Sequence, residues 1–296
     1  MIINKPKGQH FVPACYLREW IEVLPPRGRI WIFSKDGKKK RKQRPEKVFI
    51  SNDLYTIEFK GKKNYFIEET LSNLEGKYAT VFREKIKKHT PINEEERIIL
   101  CTFVAAMFLR TLKRRDNMEE LYSQLVQQAE SFEQANDLGH KESERLKQEK
   151  KDVHRLNLVQ LLPEITKILC KMNIAFLCAG FRAKFITSDN PCNLFNPDLQ
   201  WQGFRGPGLL DKNIEVSLPL SPNILLCMSW SNLRGYIKWK KSDVEEANRK
   251  TVGHCYRELI SNSRRKKRIW FRRYPMDLFF IFKIIHHKYN IMVWEN

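Results

Sequence analysis

One short stretch limits the possible folds of this chain most: Phe185-Ile186-Thr187-Ser188-Asp189-Asn190-Pro191. Phe185 and Ile186 suit a half-buried strand, whereas the small polar residues after them bond readily to nearby backbone groups. Pro191 cannot donate a hydrogen bond to a sheet, and it disfavours a helical conformation at Asn190. The pattern predicts a strand that presents Asp189 at its end, either as a catalytic or metal-binding carboxylate or as an ordinary turn residue.

Hydrophobic periodicity divides the rest of the chain into strand-like ends and a helical middle. Predicted strands occupy 29–33, 47–51, 54–59, 173–179, 183–187, 214–218 and 224–230; the fourth and fifth are expected to pair with each other. Predicted helices occupy 65–88, 94 to beyond 115, 156–172 and 242–261. The fold class that follows is α+β, with mixed or antiparallel strands at both ends of the chain around a central layer of long helices.

Local signals fix several boundaries and two outlying segments. Asp36-Gly37 is typical of a hairpin turn, and Asn93 before three glutamates is typical of a helix N-cap. The polar segment 117–151 predicts an exposed helical pair, broken near 136–139, that projects from the core. We therefore expect one α+β domain over residues 1–296, with this protrusion and a basic C-terminal segment, 264–296.

The charge of the chain indicates its kind of partner. Lys and Arg number 54 against 34 Asp and Glu, a net charge of +20, which favours polyanions, with nucleic acid before an anionic membrane or an acidic protein. Two basic runs stand out, the second interleaved with aromatic residues, and the alternative is a solvated basic surface. The candidate nucleic-acid contacts are Lys39, Lys40, Arg41, Arg264, Arg265, Lys266, Lys267 and Arg268.

Other classes of protein find little support in the sequence. The first residues lack the apolar core of a signal peptide, and no apolar run approaches the roughly 20 residues of a membrane-spanning helix, so we expect a cytoplasmic protein. The seven cysteines are an odd number without a CxxC pair, which predicts reduced core residues rather than a structural zinc site. No motif for an organic cofactor is present.

The helical segments carry three charged residues near apolar faces. Glu68 and Glu75 are seven residues apart and lie on one side of a helix, where Glu75 borders the apolar stripe. Glu75 is either an inward carboxylate or part of a solvated flank. Arg110 interrupts an apolar helix, so its guanidinium needs an anionic partner, either a structural carboxylate or a ligand phosphate.

Two motifs together make the chain resemble the mostly bacterial family catalogued as domain of unknown function 4238. They are the HFVP-type motif, here Gln9-His10-Phe11-Val12-Pro13 with Tyr16-Leu17-Arg18, and the Thr187–Pro191 turn. Further matching positions are Tyr55, Glu68, Glu75, Arg110 and the Pro-Leu-Ser-Pro element at 219–222. The resemblance implies the fold and the positions of a site, but no established activity, and the basic C-terminus departs from the family pattern.

The matched polar positions are His10, Glu68, Glu75, Arg110 and Asp189. One prediction is a metal-dependent nuclease or phosphodiesterase. Glu68, Glu75 and Asp189 would hold Mg²⁺ or Mn²⁺, His10 would be general base or ligand, and Arg110 would stabilise the phosphate.

The alternative is a non-enzymatic nucleic-acid-binding or assembly protein in which these residues form a buried structural network. A third prediction is a toxin-like or defence effector held by a protein partner. His10, Glu75, Arg110 and Asp189 should surround one cleft if the site hypothesis is correct.

Overall fold

The computed structural model describes residues 8–22, 28–59, 62–181, 183–199 and 207–272. The described helices are α1 Ala14–Leu17, α2 Phe66–Glu84, α3 Glu94–Leu109, α4 Leu112–Ala135, α5 Lys141–Lys171 and α6 Lys241–His254. The described strands are β1 Gly8–His10, β2 Ile30–Ser34, β3 Lys40–Gln43, β4 Ile50–Asn52, β5 Ile57–Phe59, β6 Lys62–Asn64, β7 Asn173–Ala179, β8 Thr187–Ser188, β9 Asn193–Phe195, β10 Glu215–Ser221, β11 Ile224–Ser229, β12 Gly235–Trp239 and β13 Glu258–Ser261. This is the predicted α+β class, in which strands precede and follow the long helices along the chain.

Two larger sheets organise the strands. The five-stranded sheet has the order β12-β7-β11-β10-β9 and is antiparallel except for the β12–β7 pair. The four-stranded sheet has the order β3-β2-β13-β8 and is antiparallel throughout. Each sheet therefore combines strands that are far apart in the sequence.

The core lies on both faces of the five-stranded sheet. Alternate residues, such as Phe176 and Leu226, pack with the main cluster built on α2 and α3, whereas Leu177 and Leu225 pack against α6. Every residue of β11 is buried because it is the middle strand with both faces covered. No helix within the described residues is long and apolar enough to cross a membrane.

Several local predictions are confirmed. The Asp36-Gly37 turn joins β2 to β3, with Gly37 at φ 68°, a conformation that glycine adopts easily. Asn93 caps α3, its side chain accepting from the Glu96 amide while Glu96 accepts from the Asn93 amide. A helical pair with a break between Ala135 and Lys141 is present, but its second helix continues to Lys171 and includes the separate helix predicted at 156–172.

Other local predictions are wrong. The return strand of the hairpin is Lys40–Gln43 and not 47–51, and the helix from 94 stops at Leu109. The helix predicted over 242–261 ends at His254, and a strand follows.

Strand pairing differs most from the prediction. Segments 173–179 and 183–187 do not pair with each other, because β7 bonds β11 and β12 while Thr187 and Ser188 bond β13 in the other sheet. Long-range packing decided this, since both segments are good strands locally.

Candidate functional site

Gln9, on the middle of the short strand β1, organises the first polar cluster. Its buried amide oxygen accepts from the Tyr55 N–H at 2.6 Å. Its amide nitrogen donates to Thr56 Oγ1 at 2.9 Å and to Glu68 Oε2 at 2.8 Å. Glu68 is thereby fixed to β1 and holds the start of α2 against it.

Arg110 forms the centre of this cluster because α3 ends there. Its guanidinium is 3% exposed and donates to Glu75 Oε1 at 2.8 Å, to the His10 carbonyl at 2.5 Å and to the Tyr55 hydroxyl at 3.3 Å. Burial opposes its charge, but Tyr55 and the Glu75 carboxylate outweigh that cost and raise the pKa of Arg110. The predicted anionic partner is a carboxylate of this chain, and the guanidinium points to Glu75 rather than to solvent.

His10 lies beside this ion pair. Burial lowers the pKa of its imidazole, Glu75 raises it and Arg110 lowers it. The Pro45 backbone also raises the pKa of His10, although less than burial lowers it. The buried Nε2 of the ring has no hydrogen-bond partner among the described residues.

Asp189 is held in a different way. Its Oδ1 accepts from the Tyr256 amide at 2.9 Å, and its Oδ2 accepts from the Arg257 and Glu258 amides at 2.7 and 3.2 Å. The Cys255 thiol lies 3.5 Å from Oδ1. Burial raises the pKa of the Asp189 carboxyl, and the backbone bonds oppose this rise. Both oxygens are engaged in closing the loop between α6 and β13, a structural role that differs from the local turn expected as the alternative, because the bonded amides lie 67 to 69 residues further along the chain.

The neighbours of Asp189 are also structural. The Tyr16 and Thr187 hydroxyls are 2.6 Å apart. Asn190 donates to the His254 carbonyl at 2.9 Å and accepts from Thr111 Oγ1 at 3.2 Å. Thr111 in turn caps α4. The Thr-Ser-Asp-Asn-Pro turn therefore ties α1, α4 and α6 together.

The structure brings together three of the four residues expected at one cleft. His10, Glu75 and Arg110 are in contact, and Glu68 is linked to them through Gln9. The Asp189 side chain is directed at the 255–258 loop instead. Within the described part of the chain, no group of three or more His, Cys, Asp or Glu side chains could hold a metal ion. The Mg²⁺ or Mn²⁺ site with Glu68, Glu75 and Asp189 as ligands stays a prediction.

Gln9 and Thr111 were not among the predicted site residues. Gln9 had a signal, because it lies between Gly8 and His10 on a strand and alternation turns it inward. Thr111 had a weaker signal. Threonine is a common N-cap residue, but the helical pattern is predicted to continue across Arg110, so no helix start is expected there.

The two basic runs form one surface, defined here as residues 35–42 and 264–268. Lys266 Nζ donates to the Gly37 carbonyl at the tip of the β2–β3 hairpin. The Phe271 ring lies so close to Gly37 that an added Cβ would be 2.7 Å from it. The tight turn and the glycine thus bring the C-terminal basic run against the hairpin.

The predicted contacts on this basic surface fall into two groups. Arg41 makes a two-pronged bond to Glu258, at 2.8 and 2.6 Å, Lys267 pairs with Glu245, and Lys266 bonds Gly37. Exposed side chains that form no ion pair with any described residue are Lys39, Lys40, Arg264, Arg265 and Arg268. These five cations are available to a ligand.

The aromatic residues of the second run are used inside the protein. Trp270 is buried and donates through its indole N–H to Glu245 Oε2 at 2.5 Å. Phe271 is half-buried against Gly37 and lies under Lys266. Neither ring is placed for base stacking, which was one use expected for them.

Residues 8–265 match the family described as Protein of unknown function (DUF4238). No curated protein and no solved structure matches the chain. The matched range includes the hairpin run and ends within the second basic run.

Proposed function

The chain belongs to the DUF4238 family, whose description leaves function open, and from the geometry of its basic surface we propose that it binds nucleic acid without cleaving it. The observation that carries this proposal is the junction of the two basic runs through Lys266, Gly37 and Phe271. Each run alone would be an ordinary charged turn, but their union concentrates positive potential on one face.

Available charge supports phosphate as the ligand. Some exposed cations elsewhere have carboxylate partners, as in the Arg18–Glu46 and Lys88–Glu84 pairs. Others, such as Lys77 and Lys171, form no ion pair with a described residue, so the basic surface is distinguished by having five such cations at one junction. The five available cations of the basic surface have no carboxylate partner among the described residues, so their counterions can be released to solution when phosphates replace them. Because Trp270 is buried, the surface offers charge without base stacking, which favours backbone binding with little sequence preference.

In this proposal the buried polar residues stabilise the fold and do not contact the ligand. Arg110 and Asp189 have their partners within the chain, as expected of a structural network.

Binding can be measured as fluorescence anisotropy of a labelled DNA duplex and a labelled RNA over a range of salt. The variant R264A/R265A/R268A should bind roughly 10- to 100-fold more weakly. The slope of log affinity against log salt concentration should be smaller in magnitude by about 3, because three phosphate contacts are lost.

The matched control R83A/K87A/K88A removes the same charge from paired residues at the end of α2 and just after it. It should change affinity less than about 3-fold. Equal losses in both triple variants, or no binding by the unaltered chain, would contradict the proposal.

A second candidate is the predicted metal-dependent phosphodiester hydrolysis, now centred on Glu75. It is favoured by one observation: the unpartnered Nε2 of His10 lies next to a carboxylate whose side chain is 22% exposed. His10 would act as the base and Glu75, with Glu68, would hold Mg²⁺ or Mn²⁺. Arg110 would position Glu75 rather than touch the phosphate.

Cleavage of labelled RNA and DNA with added Mg²⁺ or Mn²⁺ tests this candidate. E75Q should reduce cleavage at least about 100-fold, whereas E164Q, on the exposed side of α5, should leave it unchanged. Binding without cleavage by the unaltered chain would exclude the hydrolase and leave the binding protein.

A further inference from the structure

The outer face of α4 has a composition unlike the rest of this basic chain. From Asn117 to Ala135, a stretch that the structure describes throughout, eleven residues are exposed and Glu120 is the only charged one among them. The side chains of Glu119 and Glu130, on the opposite side of the helix, are partly exposed. Leu121, Leu125 and Phe132 are 45%, 38% and 64% exposed. A face with one charged residue and several large apolar side chains, on a chain of net charge +20, needs an explanation other than solubility.

Apart from Glu120, the acidic residues of this part of α4 are turned away from the outer face. Glu130 pairs with Lys147 of α5 at 3.0 Å, and buried Glu133 accepts from the Glu142 and Ser143 amides at 2.8 and 3.2 Å. In an amphipathic helix, charged side chains normally face solvent and apolar side chains face the partner helix. In α4, Glu130 and Glu133 bind α5, whereas Leu121, Leu125 and Phe132 face solvent.

The spacing of the outer face is that of a helix–helix contact. Leu121, Leu125, Gln128 and Phe132 follow one another at intervals of four, three and four residues, so they form one stripe. Gln128 lies within it, and Gln124 lies at its edge, where its amide nitrogen donates to Glu120 Oε1 at 3.2 Å. A glutamine amide both donates and accepts, so it can bond an identical group across an interface.

We propose that this face is the interface of a dimer of two copies of the chain, in which the two α4 helices pack antiparallel. A two-fold contact sets the surface against itself, which a neutral Leu/Gln/Phe face tolerates and a charged face does not. A strongly acidic or basic partner would leave its own charges unpaired against this face.

The antiparallel arrangement follows from the net charge. If the two α4 helices packed parallel, the rest of one strongly basic copy would lie next to the rest of the other, at the same end of the helix pair. Antiparallel helices place the bodies at opposite ends of α4, whose 24 residues span roughly 36 Å. That separation exceeds the Debye length of about 8 Å at physiological salt, so the repulsion is largely screened. Leu121 of one copy would then meet Phe132 of the other.

Light scattering coupled to size exclusion tests the interface. The unaltered chain should have twice the 35.4 kDa mass of one copy. L121E/F132E should have the mass of one copy, with self-association weakened at least about 100-fold, because unpaired carboxylates would be buried.

The matched control L210E/F181E changes a leucine and a phenylalanine that are 75% and 96% exposed and should remain dimeric. Unchanged circular dichroism of both variants shows that the fold persists. A single-copy mass for the unaltered chain, or a dimer that survives L121E/F132E, would overturn the proposal.

Cross-linking tests the orientation. Leu125 lies near the expected two-fold axis, so L125C should be joined to itself by a short bismaleimide. Ala135 lies far from the axis, and A135C should not be joined. The unaltered chain, with its own cysteines, gives the background. Equal cross-linking at both positions would indicate parallel helices and overturn the proposed arrangement.

Discussion

Arg110 and Asp189 are both buried charges, but the protein stabilises them by different means. Arg110 has a side-chain counterion, Glu75, together with the His10 carbonyl and the Tyr55 hydroxyl. Asp189 is held by three backbone amides and the Cys255 thiol. Thus one charge is neutralised by another charge, and the other is solvated by oriented backbone dipoles.

The difference explains why the second candidate function is centred on Glu75 and not on Asp189. The Glu75 side chain is 22% exposed, and the buried Nε2 of His10 beside it has no hydrogen-bond partner among the described residues. The oxygens of Asp189 are occupied by the chain itself. A carboxylate at the end of a strand can look the same in sequence in either role, and only its partners distinguish the two.

The largest effect should come from D189N. If the asparagine oxygen replaced Oδ2, its nitrogen would face the Tyr256 N–H, so at least one buried backbone donor loses its partner and the other bonds lose the carboxylate charge. We expect the free energy of unfolding in urea to fall by about 4 kcal/mol. The control D152N, at a half-exposed position on α5, should change it by less than about 0.5 kcal/mol. A small effect of D189N would mean that the backbone amides are satisfied without the carboxylate.

The free energy of unfolding should depend on pH because the folded protein disfavours the protonated form of His154, which lies near Arg110. His154 stacks on Tyr55 at 6.2 Å, and burial, then Arg115 and Arg155, lower its pKa from 6.5 to about 4. The unfolded chain takes up this proton below about pH 6.5 and the folded chain only near pH 4. The free energy of unfolding should therefore fall as pH decreases through this window, by at most about 3 kcal/mol.

H154Q should remove most of this slope, whereas H140Q, at an exposed histidine, should keep it. Identical slopes in the two variants would show that His154 is not the group that titrates.

The smallest effect should be the coupling between Arg110 and Glu75. In a double-mutant cycle with R110M and E75Q, the interaction term should be about 1 to 2 kcal/mol, because Glu75 is partly solvated and can rehydrate when the pair is broken. A term below about 0.5 kcal/mol would show that the Tyr55 and His10 contacts, and not the ion pair, hold Arg110.

The sequence predicted those features of the fold that depend on neighbouring residues. The cap at Asn93, the turn at Asp36-Gly37 and the helical break after Ala135 follow from side-chain preferences over a few residues. It also predicted that Arg110 needs an anionic partner and that Glu75 borders a core, and the two are paired. The α+β class followed from periodicity in the same way.

Only the tertiary structure decided which distant groups meet. The amides that hold Asp189 lie 67 to 69 residues further along the chain, and the strand before it pairs with β13 rather than with β7. The basic runs join although Lys266 and Gly37 are 229 residues apart. Local residue preferences do not specify such contacts, because several strands and carboxylates of the chain are equally suitable. Packing of the whole core selects one arrangement, in which the buried charges Arg110 and Asp189 both have partners.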